Sequence, residues 1–403
     1  MMNLSIEEYA EWQSRRRLRR RTYPIVPASI KEKLGKIENA GAVLWDVYGT
    51  LMAVSVGDLE NGRRKKELML EALRRTAREF GLMEFLGSTP EDTLMEMYLR
   101  EIEKTHHRKR SHGSFSPEVR IEDIWLRILK KLESAGYKPP SGKTEHRTES
   151  GGREVNLDLA LKIAYFFDDV YHTKRLYPDA RETLEGVKRL GLLQGIISNA
   201  QFYTPIALNI LLCGGEKSAS SRWESGDIES ESYSLGKQAG NDKKGMSAAR
   251  RPIRRHDVPL RAGCPRISSG CLTDLFDGRL LFFSYCLGVS KPNPHAFELA
   301  QQRLKKTGIP PEHVLYVGND LHSDMTPARA VGFKCVLHAG DKESLILRKD
   351  HSDCRDLEPD AIIKSLPQLL SIIGGKHSAA KLQPKKKFGS RIARMHPPEE
   401  GWE

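Results

Sequence analysis

The sequence predicts an α/β protein with a doubly wound parallel sheet and an inserted α-helical cap domain. Five short apolar runs, the first at residues 42–45, each end at a polar turn, as buried parallel strands do. The four later runs lie between residues 192 and 337, and apolar residues recur at helical spacing in the region that separates them from the first run. A sheet built from both sides of a helical insertion accounts for these observations.

The helical region contains four segments with a clear helical period. Apolar spacing predicts helices over residues 68–80, 93–104, 121–132 and 157–170. The polar stretch at 139–153 predicts a flexible connection between the last two helices.

Polar residues follow each apolar run directly, where an open parallel sheet places its ligands. We therefore expect these side chains to lie at one edge of the sheet. In chain order they are Asp46, Tyr48 and Thr50; Ser198 and Asn199; Lys291; Asn319, Asp320 and Asp324; and His338 with Asp341.

This order of aspartate, Ser-Asn, lysine and acidic pair resembles the haloacid dehalogenase-like (HAD) hydrolase superfamily. The resemblance covers the Asp46 run and roughly residues 176–373. It implies a Rossmann-like core formed by residues 41–54 and 176–373, with residues 55–175 as a helical cap that closes over the site, excludes water and selects the substrate.

The resemblance also implies roles for the residues at the strand ends. Asp46 is the expected nucleophile, which forms a covalent intermediate that water then hydrolyses. Ser198 and Asn199 are expected to donate hydrogen bonds to the transferred group, and Lys291 to offset charge on that group or on Asp46. Tyr48 and Thr50 join Ser198 and Asn199 as expected substrate-binding residues.

Each of these residues also has a purely structural interpretation. An aspartate before Gly-Thr is able to cap a turn, a Ser-Asn pair is a common helix N-cap, and a loop lysine is often solvated. The two acids of the last motif, four residues apart, are also favoured at a helix start by its dipole.

A magnesium site is expected beside the nucleophile. Asp320 and Asp324 are suited to Mg²⁺, which prefers a few carboxylate oxygens and keeps several waters, and Asp46 supplies the third carboxylate. Asn319 stands at the first acidic position of this motif, and the backbone carbonyl of Tyr48 is a further candidate ligand.

Tyr48 departs from the phosphatase pattern, in which the residue two after the nucleophile is usually an aspartate that protonates the leaving oxygen. A phenol with a pKa near 10 is a poor acid at neutral pH, and proton transfer of this kind contributes a factor of about 100 to 10,000. An ester hydrolase without it is expected to be slow, or to use substrates with good leaving groups.

Three functions remain open on these residues. The leading hypothesis is a Mg²⁺-dependent hydrolase of a small phosphorylated metabolite, because residues 318–324 look like the phosphatase type. The second is a metal-independent 2-haloacid dehalogenase, a branch with Asp-x-Tyr-Gly-Thr, in which halide leaves without a proton. The third is a catalytically weak binding or scaffold protein.

The net charge of +12 is concentrated in three peripheral segments. Residues 1–40, 213–272 and 374–403 each carry four more basic than acidic side chains, so the remainder is formally neutral. The arginine-rich stretch at 15–21 is either a solvated or docked helix or a patch for RNA, a membrane surface or nuclear import. A nucleic acid or acidic partner at the basic termini is therefore a hypothesis.

Composition predicts a cytoplasmic protein, since no apolar run approaches the roughly 18 residues of a membrane span and the N-terminus lacks a signal-peptide apolar region. Residues 213–272 are rich in Ser, Gly and charge and predict a disordered insertion, although a misassembled gene segment has the same appearance. The six cysteines show no metal-type spacing and predict no disulfide framework, with Cys286 and Cys335 interpreted as core residues in strands.

Overall fold

The computed structural model describes residues 4–16, 24–54, 62–111, 116–140, 155–214 and 270–373. Within these ranges, strands form a six-stranded sheet and a separate two-stranded ribbon. In chain order they are β1 (Ala42–Trp45), β2 (Met52–Val54), β3 (Lys174–Leu176), β4 (Leu193–Ser198), β5 (Leu281–Phe283), β6 (Val314–Gly318), β7 (Lys334–His338) and β8 (Ala361–Ile363).

The six-stranded sheet is parallel, in the order β5-β4-β1-β6-β7-β8. From the central strand β1 the chain adds β4 and β5 on one side and then β6, β7 and β8 on the other. Winding reverses at β1, and ligands of such sheets bind at the carboxyl ends of the strands beside this reversal. The predicted fold class is therefore confirmed.

A helical segment lies between the two strands of the antiparallel ribbon, β2 and β3. It follows an N-terminal helix, α1 (Ile6–Arg15), and comprises α2 (Gly62–Glu79), α3 (Pro90–Ser111), α4 (Ile121–Ser134) and α5 (Leu157–Tyr171). The four predicted helices of this region are thus confirmed, with α2 and α3 longer than expected. Their apolar faces meet in a buried cluster that includes Trp125, Tyr98 and Phe167.

Helices cover both faces of the large sheet. The helices after the helical segment are α6 (Ala180–Arg189), α7 (Tyr203–Leu212), α8 (Cys271–Leu275), α9 (Ser284–Leu287), α10 (His295–Lys306), α11 (Thr326–Ala330), α12 (Ser352–Arg355) and α13 (Gln368–Ile372). On the face of Val43 and Trp45, the core includes side chains of α6, α7 and α13, and on the face of Leu44 it includes those of α10, α11 and α12.

Strand β1 has no exposed face, and this explains its uninterrupted apolar sequence. Ala42, Val43, Leu44 and Trp45 are all 0% exposed. The one polar group of these side chains, the indole N–H of Trp45, donates to Oε1 of Gln194 at 3.2 Å. The strand therefore carries Asp46 to the sheet edge on a rigid support that is packed on both sides.

Two predictions from sequence are wrong in detail. The aromatic run at 281–285 forms a strand only to Phe283, and Ser284–Leu287 is a short helix, so Cys286 is a buried helical residue rather than a strand residue. Cys213 and Cys271 form a disulfide with a Cα–Cα distance of 5.6 Å, although no disulfide was expected. The two cysteines are 58 residues apart in sequence, and the packing of α7 against α8 that brings them together was not predicted.

Several sequence predictions fall outside the described residues. These are residues 17–23 with most of the arginine cluster, residues 215–269 within the predicted insertion, and the tail from 374 onward. Among the helices that the structure describes, none is long and apolar enough to cross a membrane.

Gly195 tests how tightly the sheet is packed. A Cβ atom at this position in β4 would lie 2.5 Å from the Leu280 carbonyl oxygen and 2.8 Å from a methyl group of Leu44, whereas one at Gly278 meets nothing within 4 Å. We expect Gly195→Ala to lower the free energy of unfolding by about 1–3 kcal/mol because of overpacking. Gly278→Ala, measured by urea denaturation beside it, should change the value by less than about 0.5 kcal/mol. Equal values for the two variants would contradict this description of the sheet.

Candidate active site

Asp46 is the first residue beyond β1 and starts a tight turn. Its backbone N–H donates to the carbonyl of Val317 at 2.9 Å, which continues the pairing of β1 with β6. The N–H groups of Leu51 and Met52 both donate to the carbonyl of Val47 and close the turn. The Asp46 side chain is 6% exposed. The strand and the turn therefore hold its carboxylate in one place at the sheet edge.

Gly49 allows this turn to approach the end of β6. Its φ angle is +81°, and a Cβ atom there would lie 2.3 Å from the amide nitrogen of Asn319. A side chain at this position is excluded both by conformation and by space. The next residue, Thr50, is fully buried and donates through Oγ1 to Oδ1 of Asn319 at 3.2 Å.

Lys291 joins the nucleophile candidate to the last motif. Its Nζ atom lies 2.8 Å from Oδ1 of Asp46 and 2.5 Å from Oδ1 of Asp324. The lysine backbone is fixed by Asn199, whose Oδ1 accepts the Lys291 N–H at 2.7 Å and whose Nδ2 donates to the Lys291 carbonyl at 3.1 Å. Three motifs that are far apart in sequence are therefore brought together through one ammonium group.

The charges of this group are strongly coupled. Burial raises the pKa of Asp46 to about 6, the nearby charge of Asp324 adds to the rise, and Lys291 and a hydrogen bond from Ser198 oppose it. Burial alone lowers the pKa of Lys291, but Asp324 and Asp46 outweigh burial and the net shift is upward. The ammonium group therefore stays charged at neutral pH.

Asp324 acts as the anchor of the lysine rather than as a free carboxylate. Its Oδ1 accepts from Lys291 and from the hydroxyl of Tyr316 at 3.0 Å. Its Oδ2 accepts from the backbone N–H groups of Asn319 and Asp320, both at 3.0 Å. The side chain is 1% exposed, and both oxygens are engaged.

Asp320 is turned toward its own helical turn and a neighbouring arginine. Its Oδ1 accepts from the N–H groups of His322 and Ser323 at 2.8 and 3.0 Å, and so caps the π-helical turn Leu321–Met325. Its Oδ2 lies 3.2 Å from the guanidinium group of Arg348. The side-chain amide of Asn319, the residue before Asp320, donates through Nδ2 to the carbonyl of Ser344 at 2.6 Å.

These contacts bear directly on the expected magnesium site. Asp46, Asp320 and Asp324 each accept hydrogen bonds from protein donors, and a cation at this place would share the three carboxylates with Lys291 and Arg348. Their oxygens are of the kind that Mg²⁺ prefers. The predicted site, with Asn319 and the Tyr48 carbonyl, stays a prediction.

Tyr48 lies where a phosphatase would place its acid. Its hydroxyl is 2.9 Å from Oγ1 of Thr204, and burial raises its pKa above the ordinary value, with Asp168 adding to the rise. A phenol with a raised pKa does not give up its proton readily at neutral pH. Tyr48 is therefore a wall and hydrogen-bonding residue of the site.

A cavity of about 310 Å³ adjoins the turn after β1 and the Ser-Asn motif. On the side of the helical segment its wall includes Glu118, Asp168 and His172. The remaining lining residues belong to the core or to the two-stranded ribbon: Tyr48, Val54, Asn199, Ala200, Gln201 and Tyr203. The cavity has the size and the position expected of a site for a small molecule.

Glu118 and Gln201 join the helical segment to the core at this cavity. The Gln201 side-chain amide donates to Oε1 of Glu118 at 2.9 Å and to the carbonyl of Val119 at 2.8 Å. Its Oε1 oxygen accepts the N–H of Ile121 at 3.2 Å. The hydroxyl of Ser284 also donates to Glu118. The helical segment is therefore closed onto the sheet edge in this conformation.

Asp168, His172 and Lys174 form a buried charged group that sequence analysis missed. Asp168 lies 2.9 Å from Nδ1 of His172 and forms an ion pair with Lys174. Burial opposes ionisation of Asp168, but Lys174 and His172 lower its pKa below the ordinary value. The signal in the sequence was two adjacent acids at the end of an otherwise apolar helix.

His338 lies at the expected sheet edge, but its contact with the turn after Asp46 was not predicted. Its Nδ1 lies 3.0 Å from the carbonyl of Gly49, and burial lowers its pKa to about 4. The ring is therefore neutral at neutral pH, with Nδ1–H donating to the turn that follows Asp46. It supports the shape of that turn from the carboxyl end of β7.

Of the predicted site residues, Asp46, Ser198, Asn199, Lys291 and Asp324 lie in one network of contacts. Thr50 and Asn319 lie beside it and bond to each other, and Tyr48 lines the cavity. Asp320 is adjacent through its backbone, but its carboxylate is bound elsewhere.

Comparison with known proteins identifies related sequences and structures. The family model described as HAD-hydrolase-like matches residues 288–369. The glyceraldehyde 3-phosphate phosphatase of Pyrococcus furiosus is 34% identical over 98 residues, which is 23% of this chain and 36% of that protein. The chain therefore matches about a third of the length of this curated relative.

Two solved structures are similar to 83% of the chain. The 2-haloacid dehalogenase from Pseudomonas syringae is 19% identical with a TM-score of 0.42, and 97% of it is covered. The HAD phosphatase from Thermococcus onnurineus is 16% identical with a TM-score of 0.39, and 99% of it is covered. Similarity at this level does not discriminate between the two activities.

The family match contains Lys291 and the two acids of the last motif, and the parallel sheet places them beside Asp46 at the point where the winding reverses. Over residues 288–369 the chain is therefore similar to HAD-hydrolase-like proteins.

Proposed function

We propose that this protein is a hydrolase in which Asp46 displaces a leaving group that needs no proton, with small 2-haloacids as the substrate class. The observation that carries the proposal is the state of Tyr48, which is bonded to Thr204 and has a raised pKa. A reaction that required a proton from this position would lose most of a factor of about 100 to 10,000. Loss of a halide has no such requirement.

The first step is a displacement at carbon. An oxygen of the Asp46 carboxylate attacks the carbon that carries the halogen, a C–O bond forms, and the C–halogen bond breaks with its electron pair leaving as halide. The product of this step is an ester of Asp46. Lys291 holds the attacking carboxylate in place, and Asn199 holds Lys291. Fixing the nucleophile in this way removes much of the entropic cost of the reaction.

The second step releases the product. Water adds to the ester carbonyl carbon of Asp46 and the C–O bond to that carbon breaks, which yields a 2-hydroxy acid, the Asp46 carboxylate and one proton. The Lys291 ammonium group and the Ser198 hydroxyl are the donors closest to the charge that develops on the carboxyl oxygens.

The helical segment is the cap in this proposal. It contacts the core at the cavity through Glu118 and Gln201, and it lies in sequence between the paired strands β2 and β3. Opening of this contact admits the substrate, and its closure shields the displacement at carbon from bulk water. The small cavity of about 310 Å³ limits the substrate to a few carbon atoms.

A second candidate function is hydrolysis of a small phosphate monoester. The observation in its favour is the 34% identity with a glyceraldehyde 3-phosphate phosphatase over 98 residues. This candidate needs both a cation at carboxylates that now pair with Lys291 and Arg348 and an acid in place of Tyr48. We therefore propose the haloacid reaction first, whereas the sequence alone favoured the phosphate monoester.

Substrate turnover discriminates between the two reactions. With 2-chloropropionate and 4-nitrophenyl phosphate, each assayed with Mg²⁺ and with a chelator, we expect chloride release that the chelator does not reduce. Asp46→Asn should lower the rate at least about 10,000-fold because the amide is not a nucleophile. Asp92→Asn changes an exposed carboxylate of α3 and serves as the matched control. Phosphate release that requires Mg²⁺, without chloride release, would replace the proposal with the second candidate.

The pH dependence of kcat/KM tests the environment of Asp46. Because the pKa of Asp46 is raised to about 6, the reactive carboxylate is lost as pH falls through 6, and kcat/KM should decrease about tenfold per pH unit below that value. Lys291→Met removes the charge that holds this pKa down, so the acid limb should move to higher pH. Lys342→Met, at a side chain that is 57% exposed, should leave the limb in place. An acid limb near pH 4 in the unchanged protein would show that Asp46 is not in the environment described.

A further inference from the structure

A second cluster of reactive side chains lies apart from the Asp46 network. Among the residues that the structure describes, His322, His351 and Cys354 form a group in which the potential ligand atoms all lie within 4.8 Å of one another. Cys354 is 0% exposed and is a free thiol, whereas the two histidines are partly exposed. The cluster therefore combines one buried sulfur with two imidazoles that solvent can reach.

The fold brings these residues together from two loops. His322 lies in the π-helical turn after β6, and His351 and Cys354 lie at the start of α12, after β7. The loops are joined by backbone bonds of Ile346, whose N–H donates to Asn319 at 3.0 Å and whose carbonyl accepts from Leu321 at 2.9 Å. The cluster is thus built on a paired backbone, and its geometry does not depend on exposed side chains alone.

The ring of His322 gives an independent indication of a ligand. Its Nδ1 atom is buried and has no hydrogen-bond partner. A buried polar atom without a partner destabilises the folded state. The ring of His351 lies against it with centroids 4.2 Å apart, and that contact supplies no hydrogen bond to Nδ1. A cation that accepts a nitrogen lone pair satisfies this atom.

The donor atoms select the cation. One sulfur and two imidazole nitrogens suit Zn²⁺, whereas Mg²⁺ and Ca²⁺ prefer oxygen ligands. Tetrahedral bonds of about 2.0–2.3 Å put ligand atoms roughly 3.5 Å apart, so separations of up to 4.8 Å close with small side-chain rotations. Three protein ligands leave the fourth position for water.

Binding has a definite proton balance. The Cys354 thiol gives its proton to solvent as the thiolate bonds to the metal. Nδ1 of His351 now accepts a long bond of 3.3 Å from the N–H of Asp353, and an Asp353 carboxylate oxygen lies 4.0 Å away. Coordination through Nε2 puts a proton on Nδ1, which then donates to that carboxylate, the usual partner of a metal-bound histidine.

We propose that His322, His351 and Cys354 form a zinc-binding site. It is separate from the proposed reaction, since none of its residues contacts Lys291 or Asp46 in the described network. Its effect is to tie α12 to the turn capped by Asp320, because the His322 N–H donates to Asp320. A bound Zn²⁺ therefore stabilises the loops at the carboxyl ends of β6 and β7.

Metal titration of the whole protein tests the site. Co²⁺ serves as the spectroscopic probe, since a thiolate ligand gives an intense charge-transfer absorption and a tetrahedral site gives strong visible bands. We expect one equivalent of Co²⁺ to produce both signals and one equivalent of Zn²⁺ to abolish them. Zn²⁺ should also raise the melting temperature.

Variants assign the ligands. Cys354→Ser should remove the thiolate signal and weaken Zn²⁺ binding by about 100-fold or more, and His351→Ala, at a side chain that is 44% exposed, should weaken it similarly without unfolding the chain. Cys335→Ser, at the other free buried cysteine, is the matched control and should keep the signal. The proposal fails if the unchanged protein gives no thiolate signal at one equivalent. It also fails if His351→Ala binds Zn²⁺ as tightly as the unchanged protein does.

Discussion

The ammonium group of Lys291, buried between the carboxylates of Asp46 and Asp324, is the interaction on which the site depends. Removing three charges from water is costly, and the cost is met only where the charges are paired and hydrogen-bonded. Here Tyr316 and two backbone N–H groups complete the partners of Asp324, and Asn199 fixes the lysine backbone. The ends of β1, β4 and β6 are consequently held in one arrangement around the nucleophile.

The chemistry follows from what surrounds this ion group. Burial raises the pKa of Asp46 to about 6, with Asp324 adding to the rise and Lys291 opposing it, so Asp46 is still ionised at neutral pH. Tyr48 occupies the position at which phosphatases usually have an acidic residue, and its hydroxyl is hydrogen-bonded to Thr204. A site with a fixed nucleophile and without an adjacent proton donor favours a leaving group that departs as a stable anion. The same network engages the oxygens that a magnesium ion would use.

Much of the sheet and of the Lys291 network could be predicted from sequence, because each strand and the polar residues at its end form a continuous stretch of the chain. An apolar run buried on both faces is read directly from residues 42–45, and the parallel order brings its end to those of β4 and β6. Lys291 and Asp324 were expected near Asp46 for this reason. The contacts that these side chains make at the strand ends depend on residues far away in sequence. The Asp320 carboxylate pairs with Arg348, 28 residues away, and no spacing rule indicates that contact.

The other differences have the same origin. The disulfide of Cys213 and Cys271 depends on the packing of α7 against α8, and the group of Asp168, His172 and Lys174 depends on how α5 returns to the ribbon. The short helix Ser284–Leu287 replaces the end of a predicted strand because Ser284 bonds to Ala200 and Glu118. Each of these arises from tertiary contacts that outweigh the local preference of the sequence.

A single-turnover reaction in ¹⁸O-labelled water, followed by mass spectrometry of the peptide that contains Asp46, tests the central claim most directly. If Asp46 forms an ester with carbon and water attacks the carboxyl carbon, the label appears in Asp46 and the 2-hydroxy acid carries unlabelled oxygen from the enzyme. Label in the product with none in Asp46 would contradict the account, because water would then have attacked the substrate itself.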